Sequence, residues 1–353
     1  MAENSSKLTR RNALVLGLGS ALALPLVGSR FAEAAGSSVL RGAKGSQSTL
    51  KFASTMPTHT ENAHTVWFDV FVRELTKKTG GKVGAIFYGD SQLGPENNYP
   101  RQMQFGSIDM MMGPSIWSSI VPEVSVLTMG FLFDSWDQFG QVMDGGAGQQ
   151  LEAIFKKKAK AEILGWAYNF GARNVISKHA ITKPADFKGL KLRVLPSPTF
   201  VETFKLLGAD PVAMSFGEVY TALQTGTIDG LEHDAPTILQ NKFYEVVKQL
   251  TLTRHIFDPL TPTIADATLN RLSDGERNAV RAAALDAVAF QRDKATKAAA
   301  NAMDELKSRG VMVHHINRKT LRDEVKPLWK SFAQQHPDTR VVLADIKKLT
   351  GNG

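Results

Sequence analysis

The sequence predicts an α/β fold in two domains, with a long helix late in the chain serving both. Three observations predict it. Short strand-like runs alternate with helical periodicity from Leu50 onward, the order of an open, mainly parallel sheet. The same alternation starts again near Glu162. Residues from Ser273 to about Leu306 are helical in spacing and rich in Ala. Two lobes of similar order, served by a shared late segment, imply strands that cross between them. A cleft between such lobes is a standard place for a small ligand.

Leu50–Ser54 (LKFAS) reads as a short strand ending in a polar loop. Ala63–Thr79 has Val66, Val70, Phe71 and Leu75 on one helical face and stops at Gly80-Gly81. Val83–Tyr88 is a second strand, Asp90–Gly94 a turn, Glu96 to Phe105 a helix, and Ser107–Met112 a third strand. In the second half, Glu162–Tyr168, Asn174–Ser177 and Leu190–Val194 read as strands. Helix Thr199–Leu207 ends at Gly208, and Val212–Ser215 is a strand before helix Gly217–Thr225. Strand Thr227–Glu232 leads into helix Ala235–Phe243. Thr251–Phe257 and Pro262–Ala267 are strand-like. The helical stretch after Ser273 is one helix or two in series, with a capping box of Ser273 and Glu276. Val311–His314 is a late strand, and the remainder is helical.

Of the 353 residues, 43% are hydrophobic and 22% charged, the balance of a globular chain large enough for two cores. There are no cysteines, which excludes disulfides, iron–sulfur clusters, thiolate zinc sites and a cysteine nucleophile. The formal net charge is +8. Residues 1–34 hold four basic and two acidic side chains, so about +6 stays with the rest. Lys156–Lys158 is the only run of three, and a solvated helix face explains it. No basic stripe is interleaved with aromatics, so no nucleic-acid partner is expected.

The N-terminus has the three parts of an export signal. Arg10 and Arg11 precede an apolar stretch from Ala13 to about Gly28, and Ala32-Glu33-Ala34 fits a small-x-small cut site. The paired arginines after Thr9 point to the twin-arginine route, as does Leu14, although Ala13 departs from that pattern. A chain that starts near Ala35 and works in a bacterial periplasm is expected. The apolar run is too short and badly placed for a membrane span.

Six stretches carry a resemblance: YGDSQLG (Tyr88–Gly94), FGSIDM (Phe105–Met110), GAR (Gly171–Arg173), DFKGLKLRV (Asp186–Val194), MSFGEVYTALQTGTIDGLEHD (Met214–Asp234) and KFYEVVK (Lys242–Lys248). Together they resemble the DctP-type substrate-binding proteins of tripartite ATP-independent periplasmic (TRAP) transporters, over nearly all the chain from Leu50. The resemblance implies a two-domain periplasmic binding protein, type II-like, with hinge strands and a long domain-spanning helix. It implies a receptor that closes on an organic acid anion and docks on a small and a large membrane subunit that use a sodium gradient. The implied divisions are a twin-arginine signal at 1–34, a linker at 35–48, domain I at 49–170 plus 259–298, and domain II at 171–258 plus 299–353.

The resemblance also implies site residues. Arg193 matches a carboxylate-clamping arginine, whose planar guanidinium gives a carboxylate two parallel hydrogen bonds where a lysine gives only charge. Arg173 matches a second arginine near the carboxylate. Phe216 matches an aromatic pocket wall, though its spacing fits a core position equally. His233 stands where many members have Asn, and Asp234 departs from a common Pro; Asp234 could instead cap the helix that starts at Ala235. Glu96, with Asn97 beside it, matches an acidic or polar position that can face the cleft. Thr55 and Ser115 match pocket-lining positions. Pro114 stands where some sialic-acid-binding members place a carboxylate, which disfavours that ligand. The polar group Glu232-His233-Asp234 suits a ligand with several hydroxyls, so a sugar acid such as a uronate or aldonate is favoured over a C4-dicarboxylate, a 2-oxo acid or a 2-hydroxy acid.

Two other classes were weighed. An enzyme could use Glu232, His233 and Asp234 as acid/base groups or metal ligands, but neighbours on a strand face opposite ways and seldom converge. HExxH, GxSxG and GxxxxGK[ST] are all missing from the sequence. No cofactor or metal is therefore expected. A receptor feeding a sensor would have the same fold.

Overall fold

The computed structural model describes residues 41–42 and 46–351. The expected signal at 1–34 and most of the expected linker at 35–48 lie outside the described residues. Two six-stranded sheets organise the chain. The first runs, in spatial order, Arg41–Gly42, Val83–Tyr88, Ser48–Ala53, Met110–Met112, Pro262–Ala265 and Ala161–Ile163. The second runs Met312–His314, Gln249–Ile256, Arg173–Ser177, Gly230–His233, Lys191–Val194 and Asp210–Ala213.

Both sheets are mixed, not mainly parallel. Pro262–Ala265 is antiparallel to both its neighbours in the first sheet, and Arg173–Ser177 to both of its own in the second. Each follows a point where the chain changes sheets, so it enters its sheet from the opposite end. The crossings themselves, Ala167–Tyr168 and Pro259–Leu260, pair antiparallel as a two-stranded ribbon. That ribbon splits the single strand expected over Glu162–Tyr168. Gly165, at φ +130°, makes the break between the two pieces. Arg41–Gly42, expected within a linker, instead forms an edge strand against Ile86 and Phe87.

Helix Ala63–Thr79 has the expected bounds, capped by Asn62 and closed by Gly80 at φ +59°. The Ala-rich segment is one helix, Asp274–Ser308, with the Ser273/Glu276 capping box in place. At 35 residues it is roughly 50 Å long. It packs on Ala63–Thr79, on the crossing strand Ala167–Tyr168 and on Ala235–Gln240, so it touches elements attached to both sheets. Its small buried face of Ala279, Ala283, Ala284, Ala287 and Ala295 permits that close approach. Ser273→Ala removes the reciprocal cap and is expected to lower stability by about 1 kcal/mol, read by urea denaturation. An unchanged midpoint would show that the cap contributes nothing.

Helix Trp136–Met143, capped by Ser135 through the Gln138 N–H, and helix Gly146–Ala159 were not read from the sequence. They receive the last helix, Arg340–Thr350, while Arg318–Gln335 packs on Pro198–Leu206. The C-terminal segment thus reaches elements of both halves. Among the described residues no helix is long and apolar enough to cross a membrane.

Candidate functional site

Between the sheets, beside the crossing ribbon, lies a cleft with about 540 Å³ of empty space, part of it open to solvent. The second sheet supplies most of its charge.

Arg193 sits in strand Lys191–Val194, in register with Leu231 on one side and Val212 on the other. Its side chain is 0% exposed. Nε donates to the Met214 carbonyl at 3.0 Å. Nη1 and Nη2 have no hydrogen-bond acceptor in the protein. Glu96 Oε1 lies 3.8 Å from Nη2, too far for a hydrogen bond. Burial, only partly offset by Glu232 and Glu96, pushes the guanidinium down from its ordinary value to about 10. A fork of buried donors without acceptors is costly unless something planar and anionic meets it.

Arg173, by contrast, is consumed within the protein. Its Nε and Nη2 donate to the two carboxylate oxygens of Glu232 at 2.5 and 2.8 Å, and Nη2 also donates to the Glu232 carbonyl at 3.1 Å. Nη1 donates to Asp258 Oδ2 at 3.1 Å. Burial opposes the charge, yet Glu232 and Asp258 hold it above the usual arginine value. Glu232 is held down to about 2: burial opposes ionisation, but Arg173 and His255 Nε2, at 3.1 Å, outweigh it. Arg173 lines the cleft with little donor capacity left, so its main office is the buried network.

The neighbours Glu232 and His233 point to opposite faces, as adjacent strand residues must. Glu232 joins the guanidinium, and His233 faces the cleft, with its ring 5.6 Å from that of Phe216. Asp234 does not line the cleft. Its carboxylate caps helix Ala235–Gln240 through the Thr237 N–H at 3.0 Å and lies 2.7 Å from His233 Nδ1. Of the two sequence readings of Asp234 the structure has the cap: the side chain holds the helix N-terminus and the imidazole and is not in the cleft wall. Burial, then the Arg173 charge, keep His233 below its ordinary range and neutral. The Asp234 backbone N–H also reaches Nδ1, at 3.0 Å, so Asp234 fixes the orientation of the ring.

Glu96 is buried and reaches across the cleft. Its Oε1 accepts the Phe216 N–H at 2.8 Å, and its Oε2 has no hydrogen-bond partner. Phe216 walls the pocket, with its ring 5.6 Å from the Arg193 guanidinium carbon. Thr55 and Ser115 line the cleft, and Ser115 Oγ donates to Asp258 at 3.2 Å. Asn97 is a correction: it is exposed and away from the cleft, because the single 3-10 turn that turns Glu96 inward turns its neighbour outward.

Sequence reading missed His64, Asn169 and Asp258, all in the cleft wall. His64 bonds Ser54 Oγ at 2.9 Å, and burial with the His233 charge pushes it down to about 3. Asp258 is pushed up to about 6, chiefly by burial. Asn169, just after one crossing strand, and Asp258, just before the other, were a detectable signal: polar side chains beside short strands that change sheets. Among the described residues no group of three His, Asp or Glu is placed to hold a metal ion.

The family profile of the bacterial extracellular solute-binding proteins, family 7 (DctP), matches residues 52–335. A solute-binding protein of Chromohalobacter salexigens is 31% identical over 282 residues, 78% of this chain and 83% of the relative. The 2,3-diketo-L-gulonate-binding periplasmic protein YiaO of Escherichia coli is 34% identical over 252 residues, 70% and 76% of the two chains. Among solved structures, a TRAP periplasmic solute-binding protein of Roseobacter denitrificans with bound β-D-glucuronate superposes with a TM-score of 0.80 at 28% identity, covering 84% of this chain and 98% of that one. A sugar-acid-binding protein of Advenella mimigardefordensis in complex with galactonate has a TM-score of 0.80 at 29% identity, covering 85% and 98%. With a family match over residues 52–335, an orphaned guanidinium fork between two sheets and a fold shared with these receptors, the chain belongs to the DctP family of TRAP solute-binding proteins, which bind and do not catalyse.

Proposed function

We propose that the chain is the receptor of a TRAP transporter for a monocarboxylic sugar acid, with Arg193 as the clamp on its carboxylate. The observation that carries this reading is the Arg193 fork: two buried Nη groups without acceptors among the described residues, in the wall of the cleft between the sheets. The remaining open groups choose among acids. Glu96 Oε2 is a buried acceptor with no partner and wants a hydroxyl donor, and His233 adds a neutral imidazole to the same wall. A second ligand carboxylate would meet Glu96 or Asp258 instead, so a C4-dicarboxylate fits poorly. Relatives with bound glucuronate, galacturonate and galactonate support the same class.

In this reading the lobes, 49–170 with 259–298 and 171–258 with 299–353, close about the crossing ribbon. Glu96 and Phe216 meet across the closed cleft. Thr55, Ser115, His233 and Phe216 touch the ligand, while Arg173 and Asp234 act behind them. The protein is exported by a twin-arginine signal, works in the periplasm and delivers its load to the small and large permease subunits.

A thermal-shift panel tests the ligand class. D-glucuronate, D-galacturonate or D-galactonate at about 100 times its Kd adds roughly 2.7 kcal/mol and a few degrees to the Tm. Stabilisation by malate, succinate or pyruvate alone would overturn the sugar-acid reading.

A further inference from the structure

The mechanism above leaves one buried cleft carboxyl without an office. Asp258 ends the stretch that leads into the returning crossing strand, and it is 7% exposed. Its Oδ2 accepts from Arg173 Nη1, and its Oδ1 from Ser115 Oγ. We propose that Asp258 is a ligand-facing group that takes up one proton from solvent as the anion binds, so that the cleft closes on its ligand with a neutral carboxyl in the wall. This step rests on the carboxylate-binding reading of the cleft.

The charge count around Asp258 argues for it. Arg173, Glu232 and Asp234 face it from the second sheet, and Ser115 from the first. Arg193 and Glu96 lie elsewhere in the same wall. Three imidazoles adjoin the network, those of His64, His233 and His255. Burial holds all three below their ordinary range, so they add no positive charge near neutrality. Four buried carboxylates, those of Glu96, Glu232, Asp234 and Asp258, therefore meet two guanidiniums. Arg173 gives three of its hydrogen bonds to Glu232 and one to Asp258, so Asp258 is the less compensated partner.

Burial has already raised Asp258 to about 6, with Glu232 and Asp234 adding to the rise against Arg173 and Ser115. A bound carboxylate adds a fifth negative charge and displaces water, and both favour the neutral form. The proton belongs on Oδ1, since Oδ2 stays on the guanidinium. Oδ1 then changes from acceptor to donor on the cleft wall, and the Ser115 hydroxyl is free to turn.

Titration calorimetry with D-glucuronate, D-galacturonate and D-galactonate tests this. It is run at pH 6, 7 and 8, each in buffers of different ionisation enthalpy. These sugar acids are ionised throughout, so they contribute no proton. The expected result is a fractional proton uptake that is largest between pH 6 and 7 and falls towards zero at pH 8. If binding raises the Asp258 pKa by about one unit, Kd weakens about fivefold from pH 6 to pH 8. Asp258→Asn, which keeps the shape, should bind with no uptake and a flat pH profile. Zero uptake by the unsubstituted protein at every pH, or uptake that persists in Asp258→Asn, would overturn the inference. If the variant does not fold, the buffer dependence of the unsubstituted protein decides alone. No heat with any of the three acids would instead overturn the sugar-acid reading on which the proton step rests.

Discussion

Arg193→Met is expected to abolish useful binding while leaving the ligand-free protein as stable as before, or more so. In the proposed complex the fork would make two charge-assisted hydrogen bonds to the ligand carboxylate, beside the ring of Phe216. Truncating one partner of such a buried pair costs about 2–5 kcal/mol, on the order of 30- to several-thousand-fold in Kd. Without ligand the same guanidinium is a liability. Both its Nη groups lack acceptors, burial lowers its pKa to about 10, and Arg173 repels it. A methionine of similar length fills the space and needs only to forgo one hydrogen bond to the Met214 carbonyl. Calorimetry for Kd and a thermal melt of the apo protein read the two effects separately. Arg193→Lys should also bind poorly, since an ammonium restores charge without the fork. Affinity within threefold of the original in Arg193→Met would remove Arg193 from the site.

Glu232→Gln is expected to be the most destabilising conservative change in the cleft, at about 3–5 kcal/mol. The substitution leaves Arg173 buried with only Asp258 as a counter-charge, and takes from His255 its carboxylate partner. The melting temperature should fall by on the order of 10 °C. The pH dependence has a definite sign. Glu232 is depressed from 4.5 to about 2 in the folded protein. Its contribution is therefore fully present above pH 4.5 and is lost as the pH falls towards 2. The gap between the unsubstituted protein and Glu232→Gln should close over that window. Arg173→Met combined with Glu232→Leu should cost much less than the two single changes added, because the pair leaves together. Additive costs, or a gap that stays constant to pH 2, would show that Arg173 and Glu232 are not a coupled pair.

Much of the fold was legible because local signals agree with the tertiary solution. The Ala63–Thr79 helix has a cap, an apolar face and a glycine stop. The long helix has its capping box and small-residue face. Strand direction was not legible, since periodicity shows which face is buried and not which end enters the sheet. Hence an open, mainly parallel sheet was expected where the crossings at Ala167–Tyr168 and Pro259–Leu260 produce two mixed ones. Helices Trp136–Met143 and Gly146–Ala159 escaped notice for another reason. Gly140, Gly146 and Gly148 lie inside them and Gly145 between them, and glycine ordinarily marks a turn.

The site divides in the same way. Sequence by itself determined the family and the two-lobed α/β plan, and it singled out Arg193 and the polar cluster at Glu232–Asp234. These depend on residue type and local order, which a chain carries along its length. Only the tertiary structure decided which charges are free. Arg173 and Arg193 look alike in sequence, yet one is spent on Glu232 and Asp258 while the other has no acceptor for either Nη group. Glu96 and Asn97 are neighbours, yet a single turn sends one across the cleft and the other outward. His64 and Asp258 entered the wall from segments 194 residues apart. Burial and pairing are properties of what lies opposite a side chain in space, and that is set by how the two sheets and their crossing ribbon meet.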